Sequence, residues 1–140
     1  MKVCKFGGTS LADAGQIRRA VDIVLADEDR RVIVVSAPGR RNKTDTKVTD
    51  MLIACAERRL AGGDAAAETA AVADRYAVIC RELGISENVS REVTAAFRAV
   101  VAGDISHRGR YMDAVKSAGE DNSARVVAAE LARRGVKARY

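Results

Sequence analysis

The sequence predicts an α/β fold with a mainly parallel sheet flanked by helices, and three observations carry that prediction. Lys2 to Phe6 alternates polar and apolar side chains and stops at Gly7-Gly8, which reads as a short strand ending in a turn. From Asp13 onward Ile17, Ala20, Val21, Val24 and Leu25 recur at helical spacing. Val32-Ile33-Val34-Val35 is a continuous β-branched run between Arg31 and Ser36-Ala37-Pro38-Gly39, the pattern of a parallel strand buried on both faces. Strand, helix and strand within about forty residues form a βαβ unit.

The remaining elements follow in order. A polar, basic loop from Gly39 to Lys47 gives way to a helix through Val48, Met51, Leu52, Cys55 and Leu60, which stops at Gly62-Gly63. An Ala-rich helix from Asp64 carries Val72, Tyr76, Ile79 and Leu83 on one stripe, and another shows Val93, Phe97, Val100 and Val101 before Gly103. These two read as an antiparallel hairpin whose stripes are ordinary packing. Asp104 to Ser117 holds an amphipathic piece with Tyr111, Met112 and Val115, and Ser117-Ala118-Gly119-Glu120 reads as a turn. A further helix then starts, with Ala124, Val127, Ala128 and Leu131 facing inward, and Val136 to Tyr140 alternates as a third strand.

A chain of 140 residues and 14.9 kDa has room for one domain of ordinary size. With 48% hydrophobic and 31% charged residues it can bury enough apolar surface to fold, which excludes compositional disorder. Its apolar runs are broken well short of the roughly 20 residues of a membrane-spanning helix, so no membrane partner is expected. The N-terminus lacks a secretory pattern, and a cytoplasmic location is the expectation. Cys4, Cys55 and Cys80 are odd in number and far apart, and His107 is the one histidine, expected at an exposed turn. Neither a disulfide framework nor a metal site of Cys and His is suggested. The net charge of +5 is modest and scattered, with no stacking platform or helix-turn-helix pattern, so nucleic acid is not an expected partner.

Three segments carry candidate chemistry. Lys5-Phe6-Gly7-Gly8-Thr9-Ser10 puts a lysine at a strand end, two glycines in the turn and two hydroxyls before a helix. Glycines let backbone N–H groups approach an anion closely, the hydroxyls add donors, and the following helix would point its positive end at the same place. The lysine precedes the glycines, so the segment is not the P-loop motif; a structural turn with a solvated lysine is the bland alternative. Ser36-Ala37-Pro38-Gly39 follows the second strand and Thr49-Asp50 opens the next helix, both at the carboxyl ends of parallel strands, where open sheets place ligands. A loop with a helix-capping threonine would explain the same residues. Ser117-Ala118-Gly119-Glu120-Asp121-Asn122-Ser123 puts carboxylates at a helix start, where Asp121 or Asn122 could serve simply as a cap.

Taken together and in this order, Lys5 to Ser10, Val34-Val35-Ser36-Ala37 with Gly39 and Val48-Thr49-Asp50-Met51-Leu52, and Ser117 to Ser123 resemble the successive signatures of aspartokinase, within the amino-acid kinase superfamily. The likeness runs from Val3 to Tyr140. It implies an amino-acid-kinase-like sheet flanked by helices, present here as an incomplete, N-terminal, aspartate-binding half spanning residues 1–140, with no regulatory ACT domain. It implies ATP, with Mg²⁺, as phosphoryl donor and L-aspartate as acceptor, giving 4-phospho-L-aspartate at the head of lysine, threonine and methionine biosynthesis. It further implies that Lys5 neutralises phosphate charge during transfer while Gly7, Gly8, Thr9 and Ser10 cradle the phosphates. Ser36 and Thr49 would hold aspartate, and Glu120 would pair with its α-ammonium group. Thr49, rather than Thr44 or Thr46, takes that role because Thr49-Asp50-Met51-Leu52 fits the pattern. The full-length enzyme is expected to be a homo-oligomer and the 140-residue chain alone to be inactive. Another amino-acid kinase, or a non-catalytic assembly module that keeps the fold, are the competing readings.

Overall fold

The computed structural model describes residues 1–140 and contains two strands and five α-helices. Strands β1 (Lys2–Lys5) and β2 (Arg30–Val34) pair in parallel, with Val3 opposite Val32, Cys4 opposite Ile33 and Lys5 opposite Val34. Between them a single 3₁₀ turn, Gly8–Leu11, leads into α1 (Ala14–Leu25). Asp13 caps that helix by accepting from the Gln16 N–H at 2.8 Å, and Ile17, Ala20, Val21 and Val24 are buried along one face.

Helices α2 (Val48–Leu60), α3 (Ala66–Leu83) and α4 (Glu87–Val101) start and stop close to where the sequence places them. Gly84 ends α3 in the left-handed region, with φ 76°, and the Ile85 N–H closes back on the Cys80 carbonyl at 3.0 Å. Leu11, Leu52, Tyr76, Ile79, Phe97 and Val115 are fully enclosed in one core that joins all five helices. Helix α3 packs on α1, α2 and α4, while α5 packs on α2 and α4.

Three expectations are overturned. Arg108–Arg133 is one continuous helix, α5, so Ser117 to Glu120 is not a turn and neither Asp121 nor Asn122 caps a helix start. A glycine inside a helix costs about 1 kcal/mol relative to alanine. At Gly119 this is offset by close approach, because a Cβ there would stand 2.7 Å from the Ala37 Cβ and 2.8 Å from the Leu52 Cδ1. Secondly, Val136 to Tyr140 runs without strand pairing after Gly135, and its last ring instead lies over the Arg125 guanidinium at 4.3 Å. Thirdly, β2 is not buried on both faces. Phe6, Ile33 and Val35 pack on the core, but Val3, Val32 and Val34 on the other face are 64%, 40% and 46% exposed. His107 is exposed at the start of α5, as expected.

Candidate active site at the strand ends

The first signature forms its turn through local backbone geometry. Gly7 is extended, with φ −78° and ψ 172°, and its carbonyl accepts from the Ser10 N–H at 3.0 Å. The N–H groups of Gly7, Gly8 and Thr9 donate to no protein acceptor, so three successive donors are free for an anion. Lys5 is exposed, and its Nζ lies 3.8 Å from where a Cβ on Gly7 would stand, which puts the ammonium over the same turn. Thr9 is exposed and Ser10 half-buried. One detail differs from expectation. The positive end of α1 does not face this turn unaccompanied, because the Asp13 carboxylate occupies it; the donors are the turn's own peptide groups.

The second signature is locked to the first. The Gly39 N–H donates to the Gly8 carbonyl at 2.7 Å, and a Cβ on Gly39 would meet Gly8 C at 2.7 Å and Thr9 N at 2.8 Å. Only glycine allows this contact between backbones. Pro38 is buried and its carbonyl accepts from the Val48 N–H at 2.9 Å, tying the loop to the start of α2. Thr49 is half-buried in the first turn of α2 and does not cap it, since the cap position is Lys47, without a side-chain bond. Ser36 is half-buried just beyond β2.

The third signature reaches the second through Gly119, which rests against Ala37 and against Leu52, one turn along α2 from Thr49. Glu120, the next residue, is exposed in mid-helix, whereas the adjacent Asp121 is taken up by Arg125 at 3.1 Å. The fold therefore brings together all three segments: Gly8 with Gly39, and Ala37 with Gly119.

Sequence reasoning missed two residues beneath the site, both on α3. The Tyr76 hydroxyl donates to the Gly119 carbonyl at 2.7 Å and lies 3.3 Å from the Ser123 hydroxyl; burial pushes its phenol well above the ordinary range. Arg75, 5% exposed, donates to the carbonyls of Gly39 at 2.7 Å, Ala12 at 3.3 Å and Thr46 at 3.4 Å, and pairs with Asp45 at 3.0 Å. The available signal was its position: Arg75 falls within the stripe marked by Val72, Tyr76 and Ile79, where a charged side chain demands partners.

No site residue lines an open trough of about 1020 Å³ bounded by α1, β2, α5 and the C-terminal segment, with Val24, Ile33, Val35 and Leu131 on its walls. No three His, Cys, Asp or Glu side chains gather into a metal cage. No helix is long and apolar enough to cross a membrane.

A parallel strand pair with a turn of free N–H groups and a second loop at its carboxyl end is the arrangement at which open α/β sheets commonly hold a ligand. The chain belongs to the amino acid kinase family, whose sequence model matches residues 1–140. It is 46% identical over its full length to aspartokinase 3 of Bacillus subtilis, and 44% identical over 55 residues to the lysine-sensitive aspartokinase 3 of Escherichia coli. The alignments cover 31% of the first of these relatives and, with 39% of this chain, 11% of the second. Among solved structures, the aspartate kinase of Clostridium acetobutylicum superposes with a TM-score of 0.82 at 30% identity, over 93% of this chain and 29% of that one. E. coli aspartokinase III, in complex with aspartate and ADP, superposes with a TM-score of 0.67 at 25% identity, over 98% of this chain and 30% of that one.

Proposed function

We propose that this chain supplies the phosphate turn and the acceptor-binding side of an aspartate kinase, which transfers the γ-phosphoryl of ATP to the side-chain carboxylate of L-aspartate. The observation that carries this reading is the lock between the first two signatures, the Gly39 N–H on the Gly8 carbonyl at 2.7 Å. It sets an anion-binding turn and a candidate acceptor loop side by side, as a direct transfer between two bound substrates requires. The complex of E. coli aspartokinase III with aspartate and ADP supports the choice of substrates.

In this reading the carboxylate oxygen of aspartate attacks the γ-phosphorus, a new P–O bond forms, and the bond to the bridging oxygen breaks, leaving ADP. Such a transfer needs alignment and charge stabilisation more than covalent help. The free N–H groups of Gly7, Gly8 and Thr9 bind phosphate oxygens, the Ser10 hydroxyl adds a donor, and Lys5 stabilises charge on the migrating group. Ser36 and Thr49 orient aspartate, and Glu120 pairs with its α-ammonium. The exposed Glu120 and the uncapping position of Thr49 leave both side chains available for these contacts. Mg²⁺ would arrive on the phosphates and neutralise their charge, as it commonly does where the protein offers no cage of its own.

The test is aspartate-dependent ADP release by the full-length protein, with the acyl phosphate trapped by hydroxylamine. Equal release with glutamate in place of aspartate would point to a sister amino-acid kinase, and no release with any acceptor to a non-catalytic module.

A further inference from the structure

A guanidinium buried in α3 touches both halves of the candidate site. Arg75 Nη2 bonds the carbonyl of Ala12, just past the phosphate turn, and the carbonyl of Gly39, in the loop after β2. Nη1 meets Asp45 at 3.0 Å and the Thr46 carbonyl at 3.4 Å, on the part of that loop that leads to Thr49. The Gly39 peptide is thus held from two sides, its N–H on Gly8 and its C=O on Arg75.

The loop itself is closed into a block. Asp45 accepts from the Arg41 backbone N–H at 2.9 Å and from Arg41 Nε and Nη2, both at 2.8 Å. Arg75 grips that block through the same carboxylate. The next residue on α3, Tyr76, holds the third segment through Gly119. One turn of one helix therefore references all three segments.

Packing alone does not call for arginine here. Val72 and Ile79 on the same stripe are apolar, and an apolar side chain would fill the position without the desolvation that a buried cation carries. What the guanidinium adds is a planar fork that fixes its acceptors relative to one another, which an ammonium on a flexible stem cannot do.

We propose that Arg75 is a positioning residue for phosphoryl transfer, whose fork sets the phosphate turn and the acceptor loop in one fixed register. The proposal rests on the aspartate kinase reading. It requires that loss of the fork leave each substrate able to bind but misalign the two.

The experiment uses the full-length protein carrying Arg75→Lys, which keeps the charge and loses the fork. Turnover per folded molecule should fall about 10²-fold, the scale of an ångström-sized misplacement of reacting groups. KM values for ATP and aspartate should stay within about threefold, since uniform binding is untouched. A larger share of ADP release should also be unaccompanied by acyl phosphate, because water then competes with a misplaced acceptor. A purely structural role would lower the folded fraction and Tm while leaving turnover per folded molecule and the ratio of acyl phosphate to ADP at parental values, and that result overturns the proposal. If Arg75→Lys does not fold, Arg75→Gln, which buries no charge, is read by the same two ratios. A parent protein without aspartate-dependent ADP release overturns the kinase reading, and this proposal with it, and is distinguished by failing before any substitution is made.

Discussion

Lys5 and Glu120 are both exposed, yet they are expected to fail in different ways when substituted. The Lys5 ammonium lies over the Gly7 turn, where the proposed transfer would develop charge on the migrating phosphoryl. In the full-length protein Lys5→Ala should lower kcat by about 10²-fold or more, with a much smaller change in aspartate binding, on the scale of a lost electrostatic stabiliser. An unchanged kcat would remove Lys5 from the transfer step. Glu120→Gln keeps size and helix propensity and loses only the charge. A charge-assisted hydrogen bond contributes about 1.5–3 kcal/mol, so the KM for aspartate should rise roughly 10- to 100-fold while that for ATP holds. A drop in Tm with both KM values intact would return Glu120 to an ordinary surface role. Asp45 adds a pH dependence. Its bond from the Arg41 side chain, reinforced by the Arg41 N–H and the Arg75 charge, holds its carboxyl well below the ordinary value of 3.8 against the opposing effect of burial. A depressed folded pKa means stability that is present above the unfolded value and lost as pH falls through the folded one. The Tm difference between parent and Asp45→Asn should therefore be level at neutral pH and shrink only as the pH drops below 3.8. A difference that vanishes already near pH 6 would mean that the carboxylate is not what holds the loop.

Helix α5 shows which part of the design local sequence conveys and which part it does not. Ser117, Gly119, Asp121 and Asn122 are turn and cap residues by propensity, and that composition made a break look natural. The helix runs through because Gly119 is the point of closest approach to Ala37 and Leu52, a tertiary fact with no local signature. In contrast, the stripes of α1 and α4 were legible because each helix buries one face against a single core. The turn after β1 was legible for a similar reason: the glycines and hydroxyls that shape it stand in six consecutive residues. Apart from its place in the α3 stripe, Arg75 left little sequence signal, because three of its partners are the carbonyls of Ala12, Gly39 and Thr46, which no side-chain pattern reveals. Val136 to Tyr140 satisfied the strand alternation, but a strand exists only where a neighbour supplies the ladder, and none pairs with it here. Two glycines of α5 offer a matched test of the tertiary explanation. Gly119→Ala should destabilise by about 1–3 kcal/mol, the usual range for overpacking, in spite of the better helix propensity. Because the added methyl pushes on Ala37, next to Ser36, it should also raise the KM for aspartate. A Cβ on Gly109 meets nothing within 4 Å, so Gly109→Ala should be neutral or stabilising by up to about 1 kcal/mol. Equal effects at the two positions in thermal unfolding would show that propensity, and not contact with Ala37, sets the role of Gly119.

The helical core covers only one face of the two-stranded sheet, and this asymmetry governs how the 140-residue chain should behave when prepared by itself. Parallel sheets are ordinarily covered on both faces. Here Val3, Val32 and Val34 form an apolar row on the bare face. Each strand has a single partner, so each also presents one unpaired edge of N–H and C=O groups. An apolar face flanked by two open edges favours association with another copy. The chain's own aspartate-dependent ADP release should be nil, since Lys5, Thr9 and Glu120 all face solvent and transfer to a carboxylate requires water to be held off. Sedimentation velocity should show species larger than 14.9 kDa that grow with concentration. Val32→Lys places a charge opposite Val3 in the middle of that row, a substitution that blunts both the face and the edges, and it should shift the distribution toward monomer without loss of helix signal. If the unsubstituted chain instead sediments as a single monomeric species at every concentration, the bare face is not adhesive, and the association expected from Val3, Val32 and Val34 is refuted.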